Sequence, residues 1–210
     1  MLEVVVIRHG ETEWNKERIF QGQKNSPLTE KGKKQAKELG KRLSGDTFNR
    51  IFASDLGRAW QTAELICAAG NHPSTESDIR IQERSFGIAE GKTYEELMSK
   101  HPDIFESLKK RDPEYAVPGG ESPVELYERT VDFFTEKARG LYGKRILVVT
   151  HGGVLTMFTR YVLSIPLDQP RKFKLPNTGY NEFVFENGYW MIKTLGDVGH
   201  LKGELAEGMI

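Results

Sequence analysis

Val4-Val5-Val6-Ile7-Arg8-His9-Gly10-Glu11-Thr12-Glu13-Trp14-Asn15 is the stretch that decides how this chain folds. A run of β-branched apolar residues reads as a buried strand, and it ends in Arg-His-Gly. Open α/β sheets bind ligands beyond the C-terminal ends of their strands, so the segment delivers a guanidinium and an imidazole to that edge. The guanidinium fork suits phosphate because it donates two parallel hydrogen bonds. An imidazole can attack phosphorus as a covalent nucleophile. Gly10 lets the backbone lie close to a ligand. Taken alone, the same residues read equally well as a strand, a polar turn and a capping histidine.

Arg145-Ile146-Leu147-Val148-Val149-Thr150-His151-Gly152-Gly153 repeats the design far along the chain. Again an apolar run ends in His-Gly, and a helical pattern follows from Val154 to Leu163. Two strands of one sheet with this ending present two imidazoles to one phosphate. On these residues the sequence resembles the histidine phosphatase superfamily, also called phosphoglycerate mutase-like. Arg8-His9-Gly10-x-Thr12-x-x-Asn15 is similar to that family's signature. The resemblance continues through Ser54-Asp55-Leu56-x-Arg58-Ala59-x-Gln61-Thr62-Ala63 and Glu83-Arg84-x-Phe86-Gly87-x-x-Glu90-Gly91. It closes with Pro118-Gly119-Gly120-Glu121-Ser122 and Thr150-His151-Gly152-Gly153. These blocks follow the family's order and span nearly the whole chain.

Composition narrows the partners. Among 210 residues, 30 Lys and Arg balance 30 Asp and Glu, so the net charge is zero. That balance gives no general attraction to nucleic acid or an anionic membrane. Any positive field is expected only where arginines converge. Cys67 is the single cysteine, which excludes an intrachain disulfide and reads as a small core hydrophobe. No apolar run approaches the roughly 18 residues of a membrane span. The N-terminus opens into a strand containing Glu3, unlike a signal peptide. The expected setting is the cytoplasm. The expected partner is a small phosphorylated metabolite, with a homodimer compatible.

Strands are expected at Glu3–Ile7, Arg50–Ala53, Arg145–Thr150, Glu182–Glu186 and Trp190–Leu195, with a weaker one near Ile79–Ile81. The last two of the main set flank Asn187-Gly188, a favoured two-residue hairpin turn. Helices are expected at Thr29–Leu43, Leu56–Ala69, Tyr94–Lys100, Ile104–Lys110, Pro123–Leu141 and Val154–Leu163. Ser122 reads as an N-cap with Pro123 at N1 and Glu125 completing a capping box, while Gly70 reads as a C′ residue. The alternation predicts a three-layer α/β/α sandwich with a mainly parallel sheet and an antiparallel edge. One domain covers 1–210. Within it, residues 84–121 read as an insertion forming a lid or specificity wall. The last fifteen residues are glycine-rich and are expected to be partly mobile.

The resemblance implies phosphoryl transfer onto His9, followed by attack of water on the phosphohistidine. Such chemistry needs positioning and charge neutralisation more than covalent help. Arg8, Arg58, His151 and Asn15 are implied to hold the phosphate oxygens. Arg58 lies near a helix start after Ser54-Asp55, where free N–H groups also favour an anion. His9 must be neutral to attack, with a carbonyl or carboxylate holding its Nδ1 proton. His151 is expected to be charged, and the two imidazoles to titrate together. Glu83 matches the family's catalytic glutamate and is implied to protonate the leaving alkoxide, which a neighbouring phosphate dianion favours. Without that match Glu83 reads as a solvated loop carboxylate. Gln21, Gly22, Ser54 and Gly152 are placed beside the substrate, although Ser54 also reads as a plain N-cap. Glu11 and Glu13 read as solvated or structural. So do His72 and His101, each before a proline. His200 lies in a tail that can fold back near the pocket and is read as structural.

Gly87-Ile88-Ala89-Glu90-Gly91-Lys92-Thr93 is one residue short of a phosphate-binding P-loop, and Glu90 would stand beside the phosphates. No metal-ligand spacing joins His9, His151 and Glu83, and no metal or other cofactor is expected. No nucleic-acid-binding signature is present. The leading expectation is therefore a metal-independent phosphatase acting on phosphate monoesters. The alternative is a cofactor-dependent phosphoglycerate mutase, which must keep water from the phosphohistidine. The chain is short for a mutase, and Gly87-x-x-Glu90-Gly91 resembles phosphatase members. A binding or scaffold protein on the same fold is the third reading; its usual mark, a lost nucleophile or arginine, is absent. Lys92, Tyr94, Lys109, Lys110, Arg111 and Glu121 are the candidate wall residues.

Overall fold

The computed structural model describes residues 1–203. Six strands form one sheet: β1 (Leu2–Arg8), β2 (Arg50–Ala53), β3 (Thr75–Ser77), β4 (Arg145–Thr150), β5 (Tyr180–Glu186) and β6 (Tyr189–Asp197). Their order is β3-β2-β4-β1-β5-β6. The pairings among β3, β2, β4 and β1 are parallel; β1–β5 and β5–β6 are antiparallel. This is the expected sandwich with its antiparallel edge. Asn187 and Gly188 turn the final hairpin with φ of 53° and 90°, the left-handed pair that such a turn demands.

The alternation of β1 and β4 builds both cores. Val4, Val6, Ile146 and Val148 face α6 (Pro123–Gly140) and α7 (Gly152–Leu163), packing with Phe133, Phe134 and Phe158. Val5, Ile7, Leu147 and Val149 face the other side, where α2 (Glu30–Leu43) and α3 (Gly57–Gly70) supply Leu39, Ala63 and Ile66. Strands buried on both faces must be apolar throughout, and these are. Ser122 caps α6 as expected: its side chain accepts from Glu125 N at 3.2 Å, and Glu125 accepts from Ser122 N at 2.7 Å. A single turn, α1 (Glu13–Lys16), was not foreseen; Thr12 and Asn15 close it with their own capping box.

Other expectations need correction. Ile79–Ile81 is a short 3₁₀ turn, because the Asp78 side chain accepts from Arg80 N at 3.0 Å and bends the chain. The edge strand forms just before it, at Thr75–Ser77. Gly70 is the last helical residue, and the left-handed cap is Asn71 at φ 56°. Gly70 is needed there because a Cβ would sit 2.9 Å from the Gly40 carbonyl on α2. The helix expected from Ile104 starts at Pro102 and the one from Val154 starts at Gly152.

Residues 84–121 carry a 3₁₀ turn (Gly87–Ala89), α4 (Tyr94–Lys100) and α5 (Pro102–Lys110). They form a small core of Ala89, Leu97, Ile104 and Val117, to which Phe20 and Phe86 are added. Phe20 N donates to Lys92 O at 2.9 Å and Gly91 N donates to Phe20 O at 2.8 Å, sewing this segment to the loop after β1. At the C-terminal end, Arg42 pairs with Asp197 and Leu201 is buried, so 196–203 is held against the body. The rest of the tail expected to be mobile, 204–210, lies outside the described residues. Among those described, no helix is long and apolar enough to cross a membrane.

Candidate active site

The β1–β4 register pairs Arg8 with Thr150, so the next residues, His9 and His151, emerge side by side. His9 N donates to Thr150 O at 2.8 Å, and the two rings lie 5.3 Å apart between centroids. His9 Nδ1 is 2.7 Å from Gly10 O, and a carbonyl can only accept. Nδ1 therefore carries the proton. Arg58 Nε–H donates to His9 Nε2 at 3.3 Å, which requires a lone pair on that nitrogen. Burial, then Arg58 and Arg8, hold His9 well below the usual histidine range. His9 is thus neutral, with Nε2 unprotonated.

His151 lies beside His9 and is fully buried. Burial, followed by Arg58, His9 and Arg129, holds it well below the usual histidine range in the absence of an anion. A desolvated imidazole among guanidiniums has no reason to add another positive charge. Its Nε2 lies 2.8 Å from Ser54 Oγ. Its Nδ1 is buried without a partner, as is Arg8 Nε. Buried polar atoms are rarely left unpaired, and the Arg8 Nε–H is a donor with an open position that an anion could fill.

Arg58 is anchored by NH1 to Lys24 O at 2.8 Å and by NH2 to Gly22 O at 2.6 Å. Burial lowers its pKa to about 10, so it stays charged at neutral pH. Arg8 NH1 donates to Leu175 O at 2.9 Å. Gly152 packs on Arg8; a Cβ there would stand 3.4 Å from Arg8 Nε. Ser54 is not an N-cap. Leu56 holds that position, and buried Ser54 accepts from Leu56 N at 3.2 Å while bonding His151. The start of α3 is also less open than expected, because Asn25 Oδ1 accepts from Arg58 N at 3.2 Å.

Glu83 reaches the same place from the loop before α4. Its carboxylate accepts from Arg84 N at 2.8 Å and from Gly153 N, in the first turn of α7, at 3.0 Å. Arg129 on α6 holds the Glu83 carbonyl at 3.0 Å and the Arg80 and Gln82 carbonyls at 2.7 Å. Glu121, expected in the specificity wall, instead pairs with Arg129 at 2.6 Å. Glu90 accepts from Phe86 N at 2.9 Å and Gln23 N at 3.0 Å, clamping two loops together. Gly22, at φ 53°, must be glycine because a Cβ would overlap the Glu90 carboxylate.

A cavity of about 350 Å³ gathers Arg8, His9, Asn15, Gln21, Arg58 and Glu83 on one side. Trp14, Arg18, Ile19, Phe20, Phe86 and Tyr94 line the rest. A larger cavity, about 460 Å³, lies between Trp60 and Thr75 and shares none of these residues. Of the candidate wall residues only Tyr94 lines the cavity that holds His9; Lys92 donates to Ile88 O and Lys109 pairs with Glu106. His200 comes within 3.5 Å of Thr178 Oγ1, and burial then Arg42 lower its pKa to about 4. Asn25, Arg129 and Asn177 were missed. Each acts across a long sequence separation and carries no local motif.

A mainly parallel sheet whose strand ends bring His9, Arg8 and Arg58 to one cavity, with the buried His151 ring beside His9, defines a site suited to an anion. The chain belongs to the histidine phosphatase superfamily: residues 4–198 match its branch 1. It is 34% identical over 206 residues to the "probable phosphoglycerate mutase GpmB" of Salmonella choleraesuis, covering 96% of this chain and 95% of that one. Bacillus stearothermophilus YhfR superposes with a TM-score of 0.86 at 33% identity, over 95% of this chain and 99% of that one. The phosphoserine phosphatase of Entamoeba histolytica superposes with a TM-score of 0.84 at 29% identity, over 96% and 100% of the two chains.

Proposed function

We propose that this protein is a phosphoric monoester hydrolase that works through a phosphohistidine on His9 and needs no metal ion. The observation that carries the reading is the His9 tautomer: Nδ1 is protonated against Gly10 O, and Nε2 is an unprotonated nitrogen beside Arg58. His9 Nε2 attacks phosphorus while the ester P–O bond breaks. Glu83 gives the leaving alkoxide its proton. Water then attacks the phosphohistidine, Glu83 takes the proton back, and the P–N bond breaks to release phosphate. Arg8 and Arg58 neutralise the transferring group, and a bound dianion favours the charged form of His151. Arg8, Arg58 and His151 supply the charge that a metal ion would otherwise bring.

The far wall points to the leaving group. Trp14, Ile19, Phe20, Phe86 and Tyr94 are apolar or aromatic, Arg18 adds one guanidinium to that wall, and Glu83 is the one carboxylate lining the cavity among the described residues. The ammonium of phosphoserine finds no second carboxylate there. Esters of alcohols with an apolar face are preferred, and residues 84–121 form the wall that accepts them. The setting is the cytoplasm and the partner a small phosphorylated metabolite.

The test is a panel of esters assayed with and without EDTA. Hydrolysis should be indifferent to chelator, with kcat/KM for aryl and apolar alkyl phosphates roughly tenfold or more above phosphoserine. Activity lost with EDTA and restored by a divalent ion overturns the metal-free mechanism. The Salmonella relative's name favours a second reading, a phosphoglycerate mutase. Feeding 3-phosphoglycerate separates the two: a hydrolase releases inorganic phosphate, and a mutase yields 2-phosphoglycerate.

Arg58→Lys is expected to lose about 100-fold in kcat/KM. Lysine keeps the charge but cannot hold Gly22 O, Lys24 O and His9 Nε2 at once. Near wild-type kcat/KM in this variant would show that a simple cation suffices.

A further inference from the structure

The turn from Leu175 to Thr178 touches the end of the nucleophile strand through three polar groups. Leu175 O accepts from Arg8 NH1 at 2.9 Å, and Thr178 N donates to Arg8 O at 2.9 Å. Between them, Asn177 Nδ2 donates to His9 O at 2.8 Å and to Asn15 Oδ1 at 3.4 Å. Thr178 adopts φ 53°, a left-handed conformation that strains a β-branched residue.

We propose that Asn177 is a positioning residue that fixes the His9 backbone and the orientation of the Asn15 amide. The partners settle which atoms face each other. His9 O can only accept, so the nitrogen of Asn177 faces it. Thr12 N can only donate, at 3.2 Å, so the oxygen of Asn15 faces that group. Asn15 Oδ1 therefore takes two N–H groups, one from Thr12 and one from Asn177. The edge left toward the cavity is Nδ2, a donor. A reversed Asn15 would present its oxygen to a phosphate dianion and repel it. Asn177 thus sets the sign of the group that Asn15 offers. It also completes the hold on His9, whose N–H is taken by Thr150 O on β4. With both backbone polar groups fixed, the imidazole is hung from a rigid point.

This inference rests on the phosphate-binding reading of the site, and its test separates the two. Asn177→Ala, Asn177→Asp, Asn15→Ala and the Asn15→Ala/Asn177→Ala double variant are compared. The readouts are kcat/KM, thermal midpoint and calorimetric binding of inorganic phosphate. Asn177→Ala should lower kcat/KM roughly 10- to 100-fold, the effect of a small misplacement of reacting groups. Asn177→Asp should lose more, because its carboxylate sets oxygens against His9 O and Asn15 Oδ1. In the Asn15→Ala background the phosphate-binding loss caused by Asn177→Ala should largely vanish, since coupled residues are non-additive. The proposal is overturned by wild-type kcat/KM in Asn177→Ala. It is equally overturned by a phosphate-binding loss undiminished without Asn15, or by a loss of activity that only follows a lowered thermal midpoint. If the wild type hydrolyses no ester, the function reading fails while the phosphate-binding cycle still decides the role of Asn177.

Discussion

His9→Ala is expected to lower turnover by about 10⁴-fold or more, as removal of a covalent nucleophile does, while the sheet stays intact. No neighbour replaces His9. His151 is the nearest imidazole, but its Nε2 is held by Ser54 Oγ at 2.8 Å. Rapid quenching with a labelled ester should trap an acid-labile, base-stable phosphoprotein in the wild type and none in the variant. A second consequence concerns pH. His9 and His151 are both held well below the usual value of 6.5 by burial and nearby arginines. Below pH 6.5 the unfolded chain binds protons that the folded pair refuses. Stability therefore rises with pH through this range and falls as the pH drops. His9→Ala removes one refusing group. The fall of the thermal midpoint between pH 7 and 5 should accordingly be shallower in the variant, at roughly 1.4 kcal/mol less per pH unit at most. A fully active variant, or an unchanged acid slope, would refute the assignments of nucleophile and protonation state respectively.

Where local chemistry is strong, the sequence is readable. The apolar runs Val4–Ile7 and Ile146–Val149 need two covered faces, so β1 and β4 could only be central strands. Ser122, Pro123 and Glu125 fix a helix start, and Asn187-Gly188 fixes a hairpin, because each satisfies or permits a backbone geometry by itself. The groups that steady the site were not readable. Arg129 binds carbonyls 46 to 49 residues away, and Asn177 binds His9 from a separation of 168. Asparagine in a Pro-Asn-Thr-Gly turn has an ordinary local explanation, which conceals a tertiary one. Glu121 was misplaced for the same reason: a charged loop residue reads as surface until Arg129 arrives from another helix. A motif also names residue types without telling how far burial removes them from water, and burial is the largest cause that holds His151 below the usual histidine range.

Glu83→Gln should discriminate between leaving groups. An alkoxide needs a proton in the transition state; a nitrophenolate hardly does. The kcat on an alkyl phosphate is expected to fall by about 10²- to 10³-fold, against less than about tenfold on p-nitrophenyl phosphate. Glutamine is not a silent change here, since the carboxylate accepts from both Arg84 N and Gly153 N. An amide keeps one acceptor oxygen and sets its NH₂ against the other donor. Gly153→Ala supplies the control. Its Cβ would overlap Glu83 Oε1, displacing the carboxylate without changing its chemistry. If Glu83 is the proton donor, Gly153→Ala should show the same preference for the good leaving group. Equal losses on both substrates in Glu83→Gln would assign Glu83 another task, either orienting the attacking water or bracing the start of α7 against the loop that carries Arg84.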